Sequence, residues 1–126
     1  MEESRMSGPS QLLRRKQFEA SEKETRVALL GGMVCDFDSM IVDLWGQIAA
    51  EEDRTKIKDT SHPAYSTLAM AAAKRREKLL ISVAHTKSML DVAKRELDKV
   101  RAQLLDLELI HDNQPSHTTV AISAAE

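Results

Sequence analysis

Histidine and cysteine side chains are the residues of this chain that could bind a metal ion. The sequence contains four histidines and one cysteine, and these are His62, His85, His111, His117 and Cys35. No two of them have the His-x3-His spacing that brings two ligands to one face of a helix, and no Cys-x2-Cys pair occurs. We therefore predict no metal site.

The acidic residues in the first half of the chain do not form a catalytic pattern. Asp36, Asp38 and Asp43 are spaced like charges on the surface of a helix. The sequence also lacks a glycine-rich phosphate loop and a nucleophile elbow. We therefore predict a protein that is not an enzyme, with no catalytic residue and no cofactor.

Two clusters of basic residues could bind a charged partner. One is Arg14, Arg15 and Lys16, and the other spans Lys74 to Lys78. They fit a solvated helix face, a contact with an acidic protein surface, or a contact with nucleic acid. The net charge of −2 and the aromatic content of 3% argue against nucleic acid.

Apolar residues that repeat in heptads predict the elements that carry these side chains. In the first half the positions of this ladder are Val27, Leu30, Val34, Phe37, Ile41, Leu44 and Ile48, and in the second half they are Leu79, Val83, Thr86, Leu90, Ala93, Leu97, Val100, Leu104 and Leu107. Steps of three and four residues keep one stripe facing a partner helix, so each ladder is the seam of a coiled coil. The fold class we predict is all-α, with two long helices forming an antiparallel coiled-coil hairpin.

Helix start and stop signals divide the chain into three parts. We predict a flexible leader over residues 1–10, a hairpin over residues 11–112, and a disordered tail over residues 113–126. The helices should run from about 11 to 54 and from about 64 to 111. Pro63 should lie in the first turn of the second helix, with Thr60 or Ser61 as its cap.

Two registers that differ by one heptad keep the apolar layers together. We favour the one that pairs positions whose numbers add up to 120, because the other leaves the start of the second helix without a partner. This register sets Val27 against Ala93 and Leu30 against Leu90. On the flanks it places Glu24 beside Lys94 and Arg26 beside Glu96. Five seam positions are polar, and polar seam residues commonly fix the register. They are Lys16, Lys23, Glu51, Arg76 and Thr86. We expect Lys16 and Glu51 to be solvated at the ends, while Arg76 and Thr86 either set the register or are solvated as well.

The aromatic residues divide between the core and the flanks. Phe37 lies on the seam and is expected in the core. Trp45 lies beside the seam and should be half exposed, and Tyr65 should have one open face. For both residues a hot spot for a partner protein and packing along the flank remain alternatives.

Length and composition agree with a long-helix protein. The 126 residues allow one domain, and 30% of them are charged. No apolar run is long enough to cross a membrane, and the first residues do not look like a signal peptide. One cysteine cannot form an internal disulfide, so we expect a cytoplasmic protein.

The residues that begin the first helix resemble a known family. The run from Leu13 to Phe18 (LRRKQF) is similar to the opening of the FliJ-like flagellar export proteins of alphaproteobacteria. The similarity covers about residues 12–112 and is sharpest in the loop and the turn after it. The matching residues there are Ile57, Asp59, His62, Ala64, Tyr65, Thr67, Ala69, Ala72, Ala73, Arg75, Arg76, Glu77, Leu79 and Leu80.

This resemblance implies a fold, a function and partners. Members of the family are antiparallel helix pairs similar to the central stalk of rotary ATPases, and they assist the flagellar type III export apparatus. The implied partners are the ring of the export ATPase, the cytoplasmic domain of the export gate, and export chaperones. The implied location is the cytoplasm, peripherally at the inner membrane of the flagellar base, with contact to the membrane only through the apparatus.

The resemblance also implies which residues bind these partners. A stalk engages a ring by its tip, so the ATPase contact should involve Leu12, Leu13, Arg14, Arg15, Lys16 and Phe18. The export gate is expected to contact Trp45, Tyr65, Arg75 and Arg76.

Two other functions fit the same residues. A self-associating coiled-coil scaffold would use apolar residues expected outside the seam, which are Ala69, Ala71, Ala73, Leu80, Leu105 and Leu109. A nucleic-acid-associated hairpin would use the two basic clusters.

Overall fold

The computed structural model describes residues 8–113 and consists of two long helices. Helix α1 spans Pro9–Thr55 and helix α2 spans Thr67–Asp112. No strand occurs between residues 8 and 113. The predicted all-α helical hairpin is confirmed. Residues 1–7 of the predicted leader and residues 114–126 of the predicted tail lie outside the described residues.

Helix α1 begins slightly earlier than the sequence suggests. Gly8 has a φ of 111°, a left-handed value that glycine adopts without the strain a side chain would cause. Its carbonyl oxygen accepts a hydrogen bond from the Leu12 backbone N–H at 2.9 Å. Pro9 follows at the first helical position. A backbone N–H has no partner within the helix there, so its absence in proline costs nothing. The predicted start was at about residue 11, so the helix begins two residues earlier than predicted.

Helix α1 ends through a side-chain cap and a left-handed residue. The Thr55 hydroxyl donates to the Glu51 carbonyl at 2.9 Å and accepts the Ile57 N–H at 3.3 Å. Lys56 then has a φ of 62°, where a glycine would be usual. This left-handed residue turns the chain out of the helix.

The predicted start of α2 is wrong by three residues. The helix begins at Thr67 and not at Ala64, and Pro63 lies in the turn before it. The cap is Ser66, whose Oγ accepts the Ala69 backbone N–H at 3.1 Å. Neither Thr60 nor Ser61 caps the helix.

Contacts along the hairpin divide the chain into two units, each made of parts of both helices. The terminal unit comprises residues 8–27 and 92–113 of the described chain, and the loop unit comprises residues 28–91. Each unit has its own core of seam residues.

Seam residues fill the core of the terminal unit. Its buried apolar side chains are Ala20, Ala93, Leu97 and Val100. Lys16 donates to Gln103 at 3.0 Å and Lys23 to Glu96 at 3.1 Å. The numbers in both pairs add up to one less than the predicted total of 120, in agreement with the predicted register.

The flanking ion pairs of the terminal unit differ from those expected. Glu96 binds Lys23 and not Arg26. Glu24 forms an ion pair with Arg101, in which Arg101 Nη2 lies 3.5 Å from Glu24 Oε1, and it does not pair with Lys94. The apolar layers fix the register, whereas long charged side chains can reach up or down the flank by a turn. Their exact partners therefore do not follow from heptad position.

The loop unit has the larger core. Its buried apolar seam residues are Leu30, Ile41, Leu44, Ala69, Ala72 and Val83. Ala69, which we expected outside the seam, is fully buried. Thr86 is also buried, and its hydroxyl donates to the Ser82 carbonyl of the same helix at 2.8 Å. Thr86 is thus satisfied within α2 and makes no bond across the seam.

Candidate partner-binding surfaces

The basic segment at the start of α1 divides between seam and surface. Leu13 and Lys16 are half-buried at seam positions, whereas Arg14, Arg15 and Phe18 are exposed. Lys16 is engaged inside the unit, because its ammonium binds Gln103 and lies 3.4 Å from Glu19. We expected Lys16 to be solvated, and this expectation is wrong.

Arg14, Arg15 and Phe18 share one outward face. Phe18 lies four residues after Arg14 and three after Arg15, and these spacings bring side chains together on a helix surface. Phe18 is 67% exposed. Neither arginine forms an ion pair with another described residue. Two unpaired guanidinium groups therefore border an open aromatic ring, and Leu12 beside them is also exposed.

In the loop unit Trp45 and Arg76 form a stacked pair. The Arg76 guanidinium carbon lies 4.7 Å from the centroid of the indole ring. A cation over a tryptophan face is attracted by the electrons of the ring. Trp45 remains 60% exposed, as the sequence predicted. Arg76 therefore covers one part of the indole and leaves the rest open.

An open groove lies next to Arg75 in the same unit. Its volume is about 420 Å³, and its lining residues are Gln47, Ala50, Glu51, Leu68, Ala71, Ala72 and Arg75. The exposed Leu68 side chain gives it an apolar wall, and Arg75 gives it a positive one. Sequence analysis had not singled out Leu68, although it is a large apolar side chain outside the seam.

The open face expected for Tyr65 is not found. Tyr65 is only 6% exposed, and its hydroxyl donates to a Glu52 carboxylate oxygen at 2.7 Å. This hydrogen bond raises the pKa of the Tyr65 hydroxyl, with burial contributing less. Tyr65 thus links the loop to the end of α1. Its side chain is buried and is therefore not available to bind the export gate.

Glu51 forms a second tie between α1 and the residues before α2. Its carboxylate accepts hydrogen bonds from Arg54 Nε at 2.8 Å and from the Ser66 hydroxyl at 2.8 Å. The Arg54 bond, followed by that of Ser66, lowers the pKa of Glu51 to about 2. The expectation that Glu51 would be solvated at a loose seam end is wrong. Ser66 caps α2 as well, so one hydroxyl serves both helices.

The loop residues also bind one another. Asp59 accepts the Ser61 hydroxyl at 2.7 Å and the Ser61 backbone N–H at 3.0 Å, and both bonds lower the pKa of the Asp59 carboxyl. His62 Nδ1 accepts the Ala64 backbone N–H at 2.9 Å. Asp59, His62 and Tyr65 therefore hold the shape of the loop.

We expect the Glu51 tie to make the stability of the protein depend on pH. Because the folded-state pKa of Glu51 lies below the ordinary value of 4.5, its stabilisation is present above that value. It is lost as the pH falls toward about 2. Urea unfolding should therefore show a smaller loss of stability over this range for Glu51→Gln than for the parent chain.

The control for this measurement is Asp53→Asn. Asp53 is a carboxylate of the same region whose side chain is 82% exposed. It should keep the acid dependence of the parent. Equal acid dependence of Glu51→Gln and the parent would show that the tie does not contribute to stability.

Between residues 8 and 113 no group of three histidine, cysteine, aspartate or glutamate side chains is arranged to hold a metal ion. Neither of the two described helices has a stretch that is long and apolar enough to cross a membrane. Comparison of the chain with protein-family models, curated proteins and solved structures gives no significant match.

Proposed function

We propose that the protein is a non-enzymatic component of the flagellar type III export apparatus. It would act as a stalk or escort protein that contacts the export ATPase ring and the export gate, and so assists flagellum assembly. Three things support the proposal: the resemblance of residues 12–112 to FliJ-like proteins, the helical hairpin that this resemblance implies, and the exposed face at the start of α1.

The observation that carries the proposal is the exposure of Arg14, Arg15 and Phe18. These residues belong to the motif that is similar to the family, and none of the three is needed for the seam. Arginine side chains can bind carboxylates through two parallel hydrogen bonds, and an exposed aromatic ring supplies apolar contact area. Such a face suits an acidic collar on the ATPase ring.

The export gate would bind the loop unit through a different set of residues. Trp45, stacked under Arg76, offers an aromatic anchor, and the groove beside Arg75 offers an apolar wall with a positive charge. Tyr65 is not included because it is buried. Export chaperones are further partners in this proposal, and the protein would lie in the cytoplasm at the flagellar base.

The proposal is tested by deleting the gene and restoring it in variants. We expect the deletion to reduce or abolish swimming while growth stays normal, and the parent chain to restore swimming. The double variant Arg14→Glu and Arg15→Glu should fail to restore it and should lose binding to the export ATPase in a pull-down. Because charge steering is screened by ions, binding of the parent should weaken as salt rises.

The matched control is Lys94→Glu with Arg95→Glu. These are two exposed adjacent cations of α2 in the same unit, and their reversal makes the same change in net charge. We expect this variant to bind and swim like the parent. Normal swimming of the deletion strain would refute the proposed function. ATPase binding by the Arg14 and Arg15 variant at low salt would refute the tip contact alone.

A further inference from the structure

One side of the loop unit carries an apolar surface that nothing in the described chain covers. Its large side chains are Val42, Trp45, Met70 and Leu80, which are 68%, 60%, 42% and 45% exposed. Between them lie the small residues Gly31, Cys35, Ala49, Ala73 and Ala84. We call this set the Trp45 flank.

Heptad positions explain why these residues share one side. When the seam residues are the a and d positions of the heptad, these residues occupy the e and b positions of both helices. The e positions of two antiparallel helices lie on the same side of the pair. The stacking of Arg76 on Trp45 brings α2 against this part of α1. Large exposed apolar surfaces of this kind mark interaction sites.

The size of the Trp45 flank matches a small specific interface. About 20 residues of each helix at 1.5 Å per residue give a length of roughly 30 Å, and two adjacent helices give a width of roughly 20 Å. The area is thus about 600 Å² per copy, or about 1,200 Å² for two copies. This value lies at the lower end of stable protein interfaces.

Charges on the flank identify a second copy of the chain as the partner. Glu77 and Lys87 lie ten positions apart on α2, both are exposed, and neither forms an ion pair within residues 8–113. In a two-fold dimer each contact between two different residues occurs twice. If the two α2 helices pack antiparallel about residue 82, Glu77 of each copy meets Lys87 of the other.

The same axis makes the apolar residues complementary. Leu80 of one α2 comes level with Ala84 of the other, so a large side chain faces a small one. In the register with a total of 120, residue 82 of α2 is level with residue 38 of α1. Trp45 of one copy is then level with Gly31 of the other, where a Cβ would meet nothing within 4 Å.

One residue of the flank opposes this arrangement. Asp38 lies at the level of the axis and would approach its own copy. The repulsion of two exposed carboxylates in water is small, on the order of 1 kcal/mol or less. It limits the affinity, whereas the two Glu77–Lys87 pairs and the apolar area favour association.

We propose that the Trp45 flank binds a second copy of this chain in an antiparallel, two-fold homodimer. The dimer uses the loop unit alone and leaves the Arg14, Arg15 and Phe18 face open. The dimer and the export gate would therefore compete for Trp45, whereas the proposed contact with the export ATPase does not depend on the dimer.

The test is a charge exchange measured by sedimentation equilibrium at low salt. The parent should change from one chain of 14.1 kDa to twice that mass as its concentration rises through the micromolar range. Glu77→Lys and Lys87→Glu should each weaken the dimer by about tenfold or more, since each change turns two attractions into repulsions. The double variant should regain the parent affinity because both pairs are restored with reversed sign.

Lys78→Glu is the matched control, because Lys78 is an exposed lysine next to Glu77 that lies outside the flank. It should dimerise like the parent. Circular dichroism should show equal helix content in all variants, so that a loss of dimer is not a loss of fold. A parent chain that stays monomeric at about 200 µM would overturn the proposal. A double variant that is folded but no tighter than the single ones would also overturn it.

Discussion

Leu30→Ala is expected to lower the free energy of unfolding by about 2 to 5 kcal/mol. Leu30 is 2% exposed, and it is the large side chain most completely buried among residues 8–113. A pair of helices has one layer of core, so no second layer can close over the cavity. Small domains have total stabilities of about 5 to 15 kcal/mol. The change should therefore remove a large part of the stability of the hairpin.

Leu29→Ala provides the control for this measurement. Leu29 is the neighbouring residue of the same type, but it is 60% exposed. Its replacement should change the stability by no more than about 0.5 kcal/mol, as is usual for surface positions. Urea unfolding followed by circular dichroism measures both. Equal losses in the two variants would show that Leu30 does not anchor a core.

Phe37→Ala and Leu90→Ala should cost less than Leu30→Ala. Heptad spacing places all three residues on the seam, but Phe37 and Leu90 are only half-buried. The period of the sequence identifies which side of a helix faces its partner. How deeply each seam residue is covered depends on the sizes of its neighbours across the seam, and the period does not contain that information.

The core could be predicted from the sequence because one rule governs it. Ile41, Leu44, Val83, Leu97 and Val100 lie on the heptad ladders, and all are buried. A repeat of 3.5 residues keeps one stripe of each helix facing the other. When a short loop joins two such helices, they pack as an antiparallel pair with both stripes in the core. The register also follows, since a slide by one heptad would leave the start of α2 without apolar partners.

The loop could not be predicted in the same way. Pro63 and the polar residues before it fit a helix start, yet Ser66 is the cap. Ser66 is the better cap because its hydroxyl also reaches Glu51 at the end of α1. That contact exists only once the two helices are paired. A local signal such as a proline cannot reveal it.

The candidate site was predictable in part, for the same reason. The exposure of Arg14, Arg15 and Phe18 follows from their positions outside the seam. Tyr65 was misjudged, because its burial depends on Glu52, thirteen residues earlier in the chain. Asp59, His62 and Tyr65 are residues on which the family resemblance rests, and here they hold the loop. Part of that resemblance is therefore explained by the fold of the loop, whatever the partners are.

Three glycines within α1 offer the largest expected gain in stability. Gly31, Gly32 and Gly46 are helical, and a Cβ added at any of them would meet nothing within 4 Å. None of the three has a positive φ. Alanine is favoured over glycine inside a helix by about 0.8 to 1.0 kcal/mol, because glycine loses more backbone freedom on folding.

Replacing all three glycines by alanine should therefore raise the free energy of unfolding by about 2 to 3 kcal/mol. The measurement is urea unfolding at a concentration below the one at which sedimentation equilibrium shows a dimer, so that a change at Gly31 cannot act through a dimer. Gly8→Ala is the contrasting variant, because Gly8 has a φ of 111° at the start of α1. It should destabilise the chain or leave it unchanged. A loss of stability in the triple variant would mean that at least one of these glycines is needed for a bend or a close contact.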